Sequence, residues 1–486
     1  MAAILLLGAA LILRLPGFPA AVLDPDEGLY LLQAVEWLRG GWPFVAVWDM
    51  HPLGAPALLL PATWLLPDPM LGLRLTGVLA VAATAVGLRA TAMLLGAGPC
   101  TALAAGLLYI AHTTVLGGLA TNTEILFAPF VVLTAFLLLR EARAPSGPSA
   151  GVVFLAGLSA GVALLVKQVA AFEASALWVS MIAIAMLGGR LRASAVLRLA
   201  LPFALGAGLP TGLVAAGYWA AGHFESWAWG NLWAPLAYGR QGADDAPGLR
   251  SGVTLAMRDL LWLGVAGLGV FAAPAETRRA AAPILAWLAG GAVAVIAPWK
   301  FYDHYFLILL PSLSLLAALG LATLVRMAAK PVWRRGAFAA LAGVLAAMPV
   351  LTMMTPRLAS GFGLRLADPP RQVAALAAAS LAPGQVMLVA NWHTVTYVLA
   401  GQTPPTRFAF PLHLAGRYEN LFDIDIDAEL ARVLALPVGV IVLDPSRWTY
   451  LRPQARAAIE AAVAERFELA GTVQDGARRV EVWRLR

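Results

Sequence analysis

Long runs of hydrophobic residues follow one another along most of this chain. A helix that spans the hydrocarbon core of a bilayer needs about 20 predominantly apolar residues. Eleven runs meet that need, at about residues 1–23, 71–96, 98–116, 121–140, 149–166, 168–188, 199–222, 252–273, 281–298, 304–326 and 335–354. The pattern therefore predicts an α-helical, multi-pass membrane protein with about eleven transmembrane helices.

A further apolar run, residues 55–66, is short and contains or adjoins several prolines, namely Pro52, Pro56, Pro61 and Pro67. Proline breaks or kinks a helix, and a run of this length does not cross the bilayer. We expect an interfacial or re-entrant helix here.

The pattern changes after residue 356, where charged residues become frequent. We predict a membrane domain over 1–356, with a first outer loop at about 24–70, and a small α/β domain over 357–486. In that domain the periodicity predicts strands at 385–390, 438–443 and 479–486 and helices at 427–436 and 453–467.

Composition supports the membrane assignment. The chain is 60% hydrophobic and 13% charged, with a mean hydropathy of +0.77, whereas a soluble domain carries about 25% charged residues. The net charge of +7 is expected from basic cytoplasmic loops, so we predict no nucleic-acid partner. A single cysteine, Cys100, excludes an intrachain disulfide framework.

The basic loops fix a predicted orientation. Lys and Arg favour the cytoplasmic side of short loops. With a cytoplasmic N-terminus, that side holds Arg140, Arg143, Arg190, Arg192, Arg198, Arg278, Arg279, Arg326, Lys330, Arg334 and Arg335. The α/β domain is then extracytoplasmic. We expect the first run to be a retained helix, with a cleaved signal segment as the alternative.

Three acidic residues, Asp24, Asp26 and Glu27, follow the first apolar run. Carboxylates at an apolar boundary are costly unless they are hydrated or engaged. One interpretation is a solvated loop that caps the next helix. The other is a catalytic base, since a carboxylate can accept the proton of an incoming hydroxyl or amine.

The residues after this cluster carry a family resemblance. The segments 24–30 (Asp-Pro-Asp-Glu-Gly-Leu-Tyr), 39–43 (Arg-Gly-Gly-Trp-Pro) and 48–54 (Trp-Asp-Met-His-Pro-Leu-Gly) resemble the first outer loop of GT-C glycosyltransferases. The similarity is to the bacterial branch related to protein O-mannosyltransferases and to the aminoarabinose transferase of lipid A. It implies a GT-C fold in the bacterial inner membrane, as part of cell-envelope synthesis.

The resemblance also implies an activity. Such enzymes take a sugar from a polyprenyl-phosphate carrier and pass it, with inversion, to a lipid, glycan or protein acceptor on the outer face. An acid of the first loop serves as base. Asp26 aligns best with the family's acidic pair and Asp24 is the reserve. A divalent metal ion is left open as a cofactor, with Asp26 and Glu124 as its candidate ligands.

His51 and Glu124 are two further candidate site residues. Related loops often carry Lys-Pro-Pro where this chain has Met50-His51-Pro52, so His51 stands in place of a phosphate-binding lysine. It could bind phosphate or a metal, or be a hydrogen-bonded loop residue. Glu124 resembles the family's second acidic site and could bind metal or acceptor; its alternative role is to interact with a helix dipole.

The candidate cations for the carrier phosphate are Lys167, Lys300 and His304. The segment 299–306 resembles the family's late outer loop, and cations there would neutralise phosphate. Lys167 either serves the same purpose, snorkels to the headgroups, or pairs with Glu173. In the outer domain, residues 391–393 and Arg407 could meet the acceptor.

Two functions of other classes remain open. A transporter or lipid flippase would use intramembrane charges as a path, and it predicts paired broken helices with charges at mid-depth. A non-catalytic anchor for the outer domain would leave the acidic loop without a role.

Overall fold

The computed structural model describes residues 1–240, 246–359, 368–416, 421–422 and 424–486. Its helices are, in chain order, α1 (Ala2–Arg14), α2 (Pro25–Leu38), α3 (Gly54–Leu65), α4 (Pro69–Leu94), α5 (Pro99–His112), α6 (Thr123–Ala142), α7 (Ala150–Val166), α8 (Ala170–Leu187), α9 (Val196–Ala220), α10 (Phe224–Ala228), α11 (Ala234–Arg240), α12 (Ala246–Leu268), α13 (Ala275–Ile296), α14 (Leu310–Ala328), α15 (Arg334–Ala359), α16 (Pro369–Ala379), α17 (Val395–Leu399), α18 (Pro411–Leu414), α19 (Ile426–Ala435) and α20 (Pro453–Arg466). Its strands are β1 (Val386–Val389), β2 (Val438–Leu443), β3 (Phe467–Asp475) and β4 (Arg478–Leu485).

The chain is a multi-pass membrane protein. Eight helices within the described residues are long and apolar enough to cross a bilayer. Each of the eleven predicted spans contains an apolar helix, but α1, α5 and α7 have only 13, 14 and 17 residues. The count of eleven crossings therefore stays a prediction. The run at 55–66 forms α3, a helix of 12 residues.

The chain divides into two compact units. One, called the membrane unit, comprises residues 1–16, 75–216 and 241–362. The other, called the outer unit after the predicted location of its α/β domain, comprises residues 17–74, 217–240 and 363–486. The first predicted outer loop thus belongs to the same unit as the α/β domain. The predicted domain boundary at 356/357 stays a prediction, and residues 360–367 of its linker lie outside the described residues.

Close backbone approaches hold the membrane unit together. Lipid provides no hydrophobic drive between helices, so small residues at the interface allow tight van der Waals packing. A Cβ on Gly320 of α14 would fall on the carbonyl oxygen of Ala266 in α12. Only glycine fits at that crossing.

A buried arginine supports an irregular segment of the membrane unit. Arg14, at the end of α1, donates hydrogen bonds to the carbonyl oxygens of Gly118 (2.6 Å), Leu119 (2.8 Å) and Ala120 (3.1 Å). Carbonyls outside a helix need donors when they are buried in an apolar region. The Arg14 guanidinium therefore fixes the segment that leads into α6.

The core of the outer unit is a four-stranded sheet in the order β1-β2-β4-β3. The β1–β2 pair is parallel, and the β2–β4 and β3–β4 pairs are antiparallel. All six residues of β2 are buried, because helices cover both faces of the sheet, as is typical for a parallel pair.

The first outer loop contributes to this core. Leu29 and Leu32 of α2 are buried in one cluster with Val389 of β1 and Val440 and Val442 of β2. A Cβ on Gly28 would lie 3.0 Å from Cβ of Val395, so α2 and α17 pack closely. The sheet thereby holds the helix that begins at the acidic cluster.

The segment 217–240 also packs within the outer unit. The hydroxyl of Tyr218 donates to the carbonyl oxygen of Pro43 at 3.0 Å, and the indole of Trp229 donates to that of Leu421 at 2.8 Å. Three separate stretches of sequence therefore build one body.

All three strands and both helices predicted for the α/β domain are confirmed within a residue or two by β1, β2, β4, α19 and α20. Strand β3 and helix α16 are missing from the prediction. In β3 the alternation is broken by a register shift between Leu469 and Gly471, which hides the period-2 signal.

Replacing Gly320 with alanine should lower the stability of the membrane unit by about 1–3 kcal/mol, because the methyl group overpacks the α12–α14 crossing. Thermal unfolding of the purified protein in detergent measures the effect. The matched control is Gly264→Ala on α12, where a Cβ meets no atom of the described structure within 4 Å. Equal melting temperatures for the two variants would contradict the packing argument.

Candidate functional site

The acidic cluster forms the first turn of α2. Asp24 is the N-cap: its carboxylate accepts the backbone N–H of Asp26 at 2.9 Å, and Pro25 occupies the first helical position. Aspartate is preferred at the N-cap, because its carboxylate accepts a backbone N–H of the first turn that has no partner within the helix. Proline is preferred at the first helical position, because it has no backbone N–H that would need a partner. Asp24 therefore has a structural role.

Glu27 is buried in an ion pair. One of its carboxylate oxygens lies 2.5 Å from Nη1 of Arg74, and the other accepts the backbone N–H of Leu23 at 3.0 Å. Arg74 also donates to the carbonyl oxygen of Ala20 at 2.9 Å. Both side chains are almost fully shielded from solvent, so the pair joins α4 to the acidic loop.

Asp26 differs from its two neighbours. Its side chain is half-buried, and no hydrogen bond or ion pair to its carboxylate is found among the described residues. Tyr30 follows one helical turn later and so lies on the same face of α2. The ring of His51 meets Tyr30 edge-on at 5.6 Å, which places His51 beside that face.

His51 is held by a buried acid that the sequence reasoning did not select. Asp49 is fully buried, and its two carboxylate oxygens lie 3.2 and 3.1 Å from Nδ1 of His51. Burial raises the pKa of Asp49, but the His51 imidazole, with the Met50 amide, brings that pKa below its ordinary value. The Asp49 carboxylate thus stays ionised and orients His51.

Glu124 and Lys167 form a second buried ion pair, in the membrane unit. Nζ of Lys167 lies 2.5 Å from Glu124, and it also stands over the ring of Tyr305 at 4.2 Å from the centroid. Thr123 donates its hydroxyl to the other oxygen of Glu124 at 3.0 Å. The cation is therefore fixed by an acid and an aromatic face.

His304 adjoins this pair. Its ring meets the ring of Tyr305 edge-on, with 5.0 Å between the centroids, and it interacts electrostatically with Glu124. Its backbone N–H is donated to Asp303 at 2.8 Å. A Cβ on Gly117, which has φ +69°, would lie 3.6 Å from Cβ of His304, so the segment fixed by Arg14 reaches this histidine.

Lys300 lies in a segment with an unusual backbone conformation. The residues on either side, Trp299 and Phe301, have φ of 55° and 52°, a left-handed conformation that is costly for bulky residues. A Cβ on Gly252 would fall on the carbonyl oxygen of Phe301, so this glycine permits the approach of the loop to α12. Lys300 is largely buried.

Of the three alternatives for Lys167, the pairing with Glu173 is wrong. The ion pair of Lys167 is with Glu124, and Glu173 instead accepts the indole N–H of Trp287 at 2.7 Å. Lys167 directly follows α7 and Glu124 begins α6, and the extensive α6–α7 packing brings the two ends together.

Of the outer-domain residues considered for acceptor contact, Asn391, Trp392 and His393 follow the end of β1. Arg407 lies elsewhere, where its carbonyl oxygen accepts the backbone N–H of Trp48 at 2.7 Å. Asn391 and Asp444 exchange two hydrogen bonds of 2.8 and 2.6 Å across the parallel pair. The centroid of the His393 ring lies 4.4 Å from that of Trp392, and the charge of Arg447 acts on the imidazole. Burial, with nearby Arg447, lowers the pKa of His393 to about 3, so its imidazole is neutral.

A divalent metal ion with Asp26 and Glu124 as ligands stays a prediction. Within the described residues, no three His, Cys, Asp or Glu side chains are grouped so that they could hold an ion. One carboxylate oxygen of Glu124 is engaged by the ammonium of Lys167.

Arg74, Asp49 and Arg14 are the structural partners that the sequence analysis missed. A signal for two of them existed, because Arg74 and Arg14 are charges inside predicted apolar spans, where an ionisable residue is rarely unpaired.

Solved structures share this arrangement of helices and sheet. ArnT from Cupriavidus metallidurans, in a crystal structure bound to undecaprenyl phosphate, matches at a TM-score of 0.59 and 15% identity over 99% of this chain and 97% of that one. The mycobacterial arabinofuranosyltransferase AftD matches at a TM-score of 0.55 and 18% identity over 99% of this chain and 40% of that one. This chain has the GT-C fold.

A third structure with this fold is the oligosaccharyltransferase of Archaeoglobus fulgidus, solved in complex with Zn and sulfate. It matches at a TM-score of 0.54 and 12% identity over 98% of this chain and 72% of that one. No model of a protein family and no curated protein matches the sequence. The GT-C fold predicted from the first outer loop is confirmed.

Lowering the pH from 7 to 5 should destabilise the outer unit through His413. This imidazole is fully buried against Trp48, and burial lowers its pKa to about 4. Between about 6.5 and 4 the unfolded chain binds a proton that the folded chain does not, so stability falls as the pH falls.

Thermal unfolding at both pH values, in wild type and His413→Phe, measures this contribution. The variant should lose about 2 kcal/mol less than wild type over that interval. The same loss in both proteins would contradict a neutral, buried His413.

Proposed function

We propose that this protein is a glycosyltransferase that moves a sugar from a polyprenyl-phosphate carrier to an acceptor. Two findings support the proposal: the GT-C fold extends over nearly the whole chain, and one structure with that fold holds undecaprenyl phosphate. The observation that carries it lies in the acidic loop. Asp24 and Glu27 are engaged structurally, whereas Asp26 keeps a carboxylate without a partner among the described residues.

In the proposed reaction, Asp26 acts as the general base. It accepts the proton of an acceptor hydroxyl or amine while that group attacks the anomeric carbon of the donor sugar. The bond from that carbon to the phosphate oxygen breaks at the same time, and the polyprenyl phosphate leaves with the electron pair. Attack opposite the leaving group inverts the anomeric configuration. A well-placed general base raises the reaction rate by about 10²–10⁴-fold.

The leaving phosphate requires cations, and we assign this role to Lys167, Lys300 and His304. Lys167 has three N–H donors, of which the geometry commits one to Glu124 and turns the ammonium towards Tyr305. A cation held by fixed neighbours stabilises a developing negative charge without reorganisation. Glu124 is then a positioning residue for Lys167, and His51 is a candidate second donor to phosphate.

We also propose an acceptor and an orientation. The acceptor is a lipid, glycan or protein of the bacterial cell envelope, reached on the outer face of the inner membrane. The N-terminus is cytoplasmic and the α/β domain extracytoplasmic. The neutral His393 and the half-exposed Arg447 at the strand ends are candidates for contact with the acceptor.

Asp26→Asn should reduce transfer of labelled sugar from a polyprenyl-phosphate donor by about 10²-fold or more while the protein keeps its melting temperature, because the amide cannot accept the proton. Turnover by purified protein in detergent or nanodiscs is the measurement.

The two neighbouring acids provide controls. Asp24→Asn should keep most of the activity, since asparagine caps a helix as well as aspartate. Glu27→Gln should lower stability by about 3–5 kcal/mol, because Arg74 is left buried without its charge partner. Full activity of Asp26→Asn, or an equal loss in Asp24→Asn, would refute Asp26 as the base.

Lys167→Met and the double variant Lys167→Met, Glu124→Gln should separate structure from function. The single variant leaves Glu124 as a buried unpaired charge, so it should lose about 3–5 kcal/mol of stability. The double variant removes both charges and should regain most of it. If Lys167 binds the donor phosphate, the KM for the donor stays raised about tenfold in the double variant. A wild-type KM there would make the pair purely structural.

A further inference from the structure

A cavity of about 480 Å³ lies between α5, α14 and α15 in the membrane unit. Its volume falls in the range of about 300–1,000 Å³ that is usual for small-molecule pockets. Small residues line much of it, including Ala104, Ala322, Ala339 and Gly343. A Cβ on Gly343 would meet no atom within 4 Å, so the space beside this glycine is open.

The cavity is as deep as one leaflet. Along α15 it is lined from Arg334 to Ala346, and a helix rises about 1.5 Å per residue, which gives roughly 18 Å. One leaflet contributes about half of a hydrocarbon core that is about 30 Å thick. The apolar part of the cavity therefore matches the length of a lipid chain within a single leaflet.

Three cations stand at one end of the cavity. Arg326 lies in the last turn of α14, and Arg334 and Arg335 begin α15; all three line the cavity. Arg326 donates to the hydroxyl of Thr323 at 3.2 Å and Arg334 to the carbonyl oxygen of Ala329 at 3.1 Å. No acidic side chain of the described residues lines this space, so the positive charge is not balanced from within it.

The helix that forms one wall has little protein around it. In α15 only 11% of the most apolar window is buried, the smallest share among the eight candidate spans of the described residues. A long helix held on one side by α5 and α14 gains packing if another apolar group fills the cavity.

We propose that this cavity binds an anionic glycerophospholipid, whose phosphate contacts Arg326, Arg334 and Arg335 and one of whose acyl chains lies along Gly343. Basic pockets between transmembrane helices on the cytoplasmic side suit acidic headgroups. The charge complementarity selects the headgroup, and the apolar depth selects the chain. None of the residues assigned to the transfer reaction lines this cavity, and the bound lipid stabilises α15.

Native mass spectrometry of the delipidated protein, titrated with phosphatidylglycerol or with phosphatidylcholine, tests the proposal. Wild type should bind phosphatidylglycerol more tightly. Gly343→Leu should weaken its binding at least tenfold, because the side chain occupies the cavity. Gly336→Leu is the matched control: this glycine lies on the same helix, does not line the cavity and also has open space around it.

A charge series tests the headgroup contact. Arg335→Gln should reduce the preference for phosphatidylglycerol about fivefold, which corresponds to ~1 kcal/mol for one cation near a lipid phosphate. Lys330→Gln, an exposed cation that does not line the cavity, should keep the preference. Equal binding of both lipids by wild type, unchanged binding by Gly343→Leu, or displacement of phosphatidylglycerol by equimolar undecaprenyl phosphate would each overturn the proposal.

Discussion

A charge buried in an apolar protein must be paired, and the ion pair between Glu27 and Arg74 is where the outer unit meets that constraint. It joins the first turn of α2 to the first turns of α4, and Arg74 also binds the carbonyl of Ala20. Removing one partner of such a pair destabilises the fold strongly, because it leaves the other charge buried and unpaired, whereas a site built from apolar residues would carry no such penalty. Because Glu27 and Asp24 are committed in this way, the geometry of the turn is fixed around Asp26, the acid to which no structural role falls.

Buried charges are paired in the membrane unit as well. Arg14 satisfies three carbonyls of the irregular segment before α6, and Glu124 at the start of α6 holds Lys167 against Tyr305. Fixed acids here position cations, whereas in the outer unit a fixed arginine positions acids. In both units the charges are fixed in position, and the proposed glycosyl transfer would use such fixed charges to stabilise the leaving phosphate.

Local signals in the sequence were sufficient for most of the fold. The apolar runs locate the membrane helices, and the buried run at 438–443 becomes β2 because both its faces are covered. Pairing across the chain was not predictable: Arg74 is distant in sequence from Glu27, and Lys167 finds Glu124 through the packing of α6 and α7 although Glu173 is nearer in sequence. The first-loop motif indicated the acids, but which of them is structural depended on contacts that periodicity does not encode.

The most direct measurement follows the carrier itself. Purified protein is incubated with a polyprenyl-phosphate-linked sugar and an extract of envelope acceptors, and released polyprenyl phosphate and the anomeric configuration of the product are determined by mass spectrometry and NMR. A glycosyltransferase of the proposed kind releases one carrier phosphate for each sugar transferred, only when an acceptor is present, and inverts the anomeric centre. Donor that stays intact while it crosses the bilayer of reconstituted vesicles would contradict the assignment and identify a flippase.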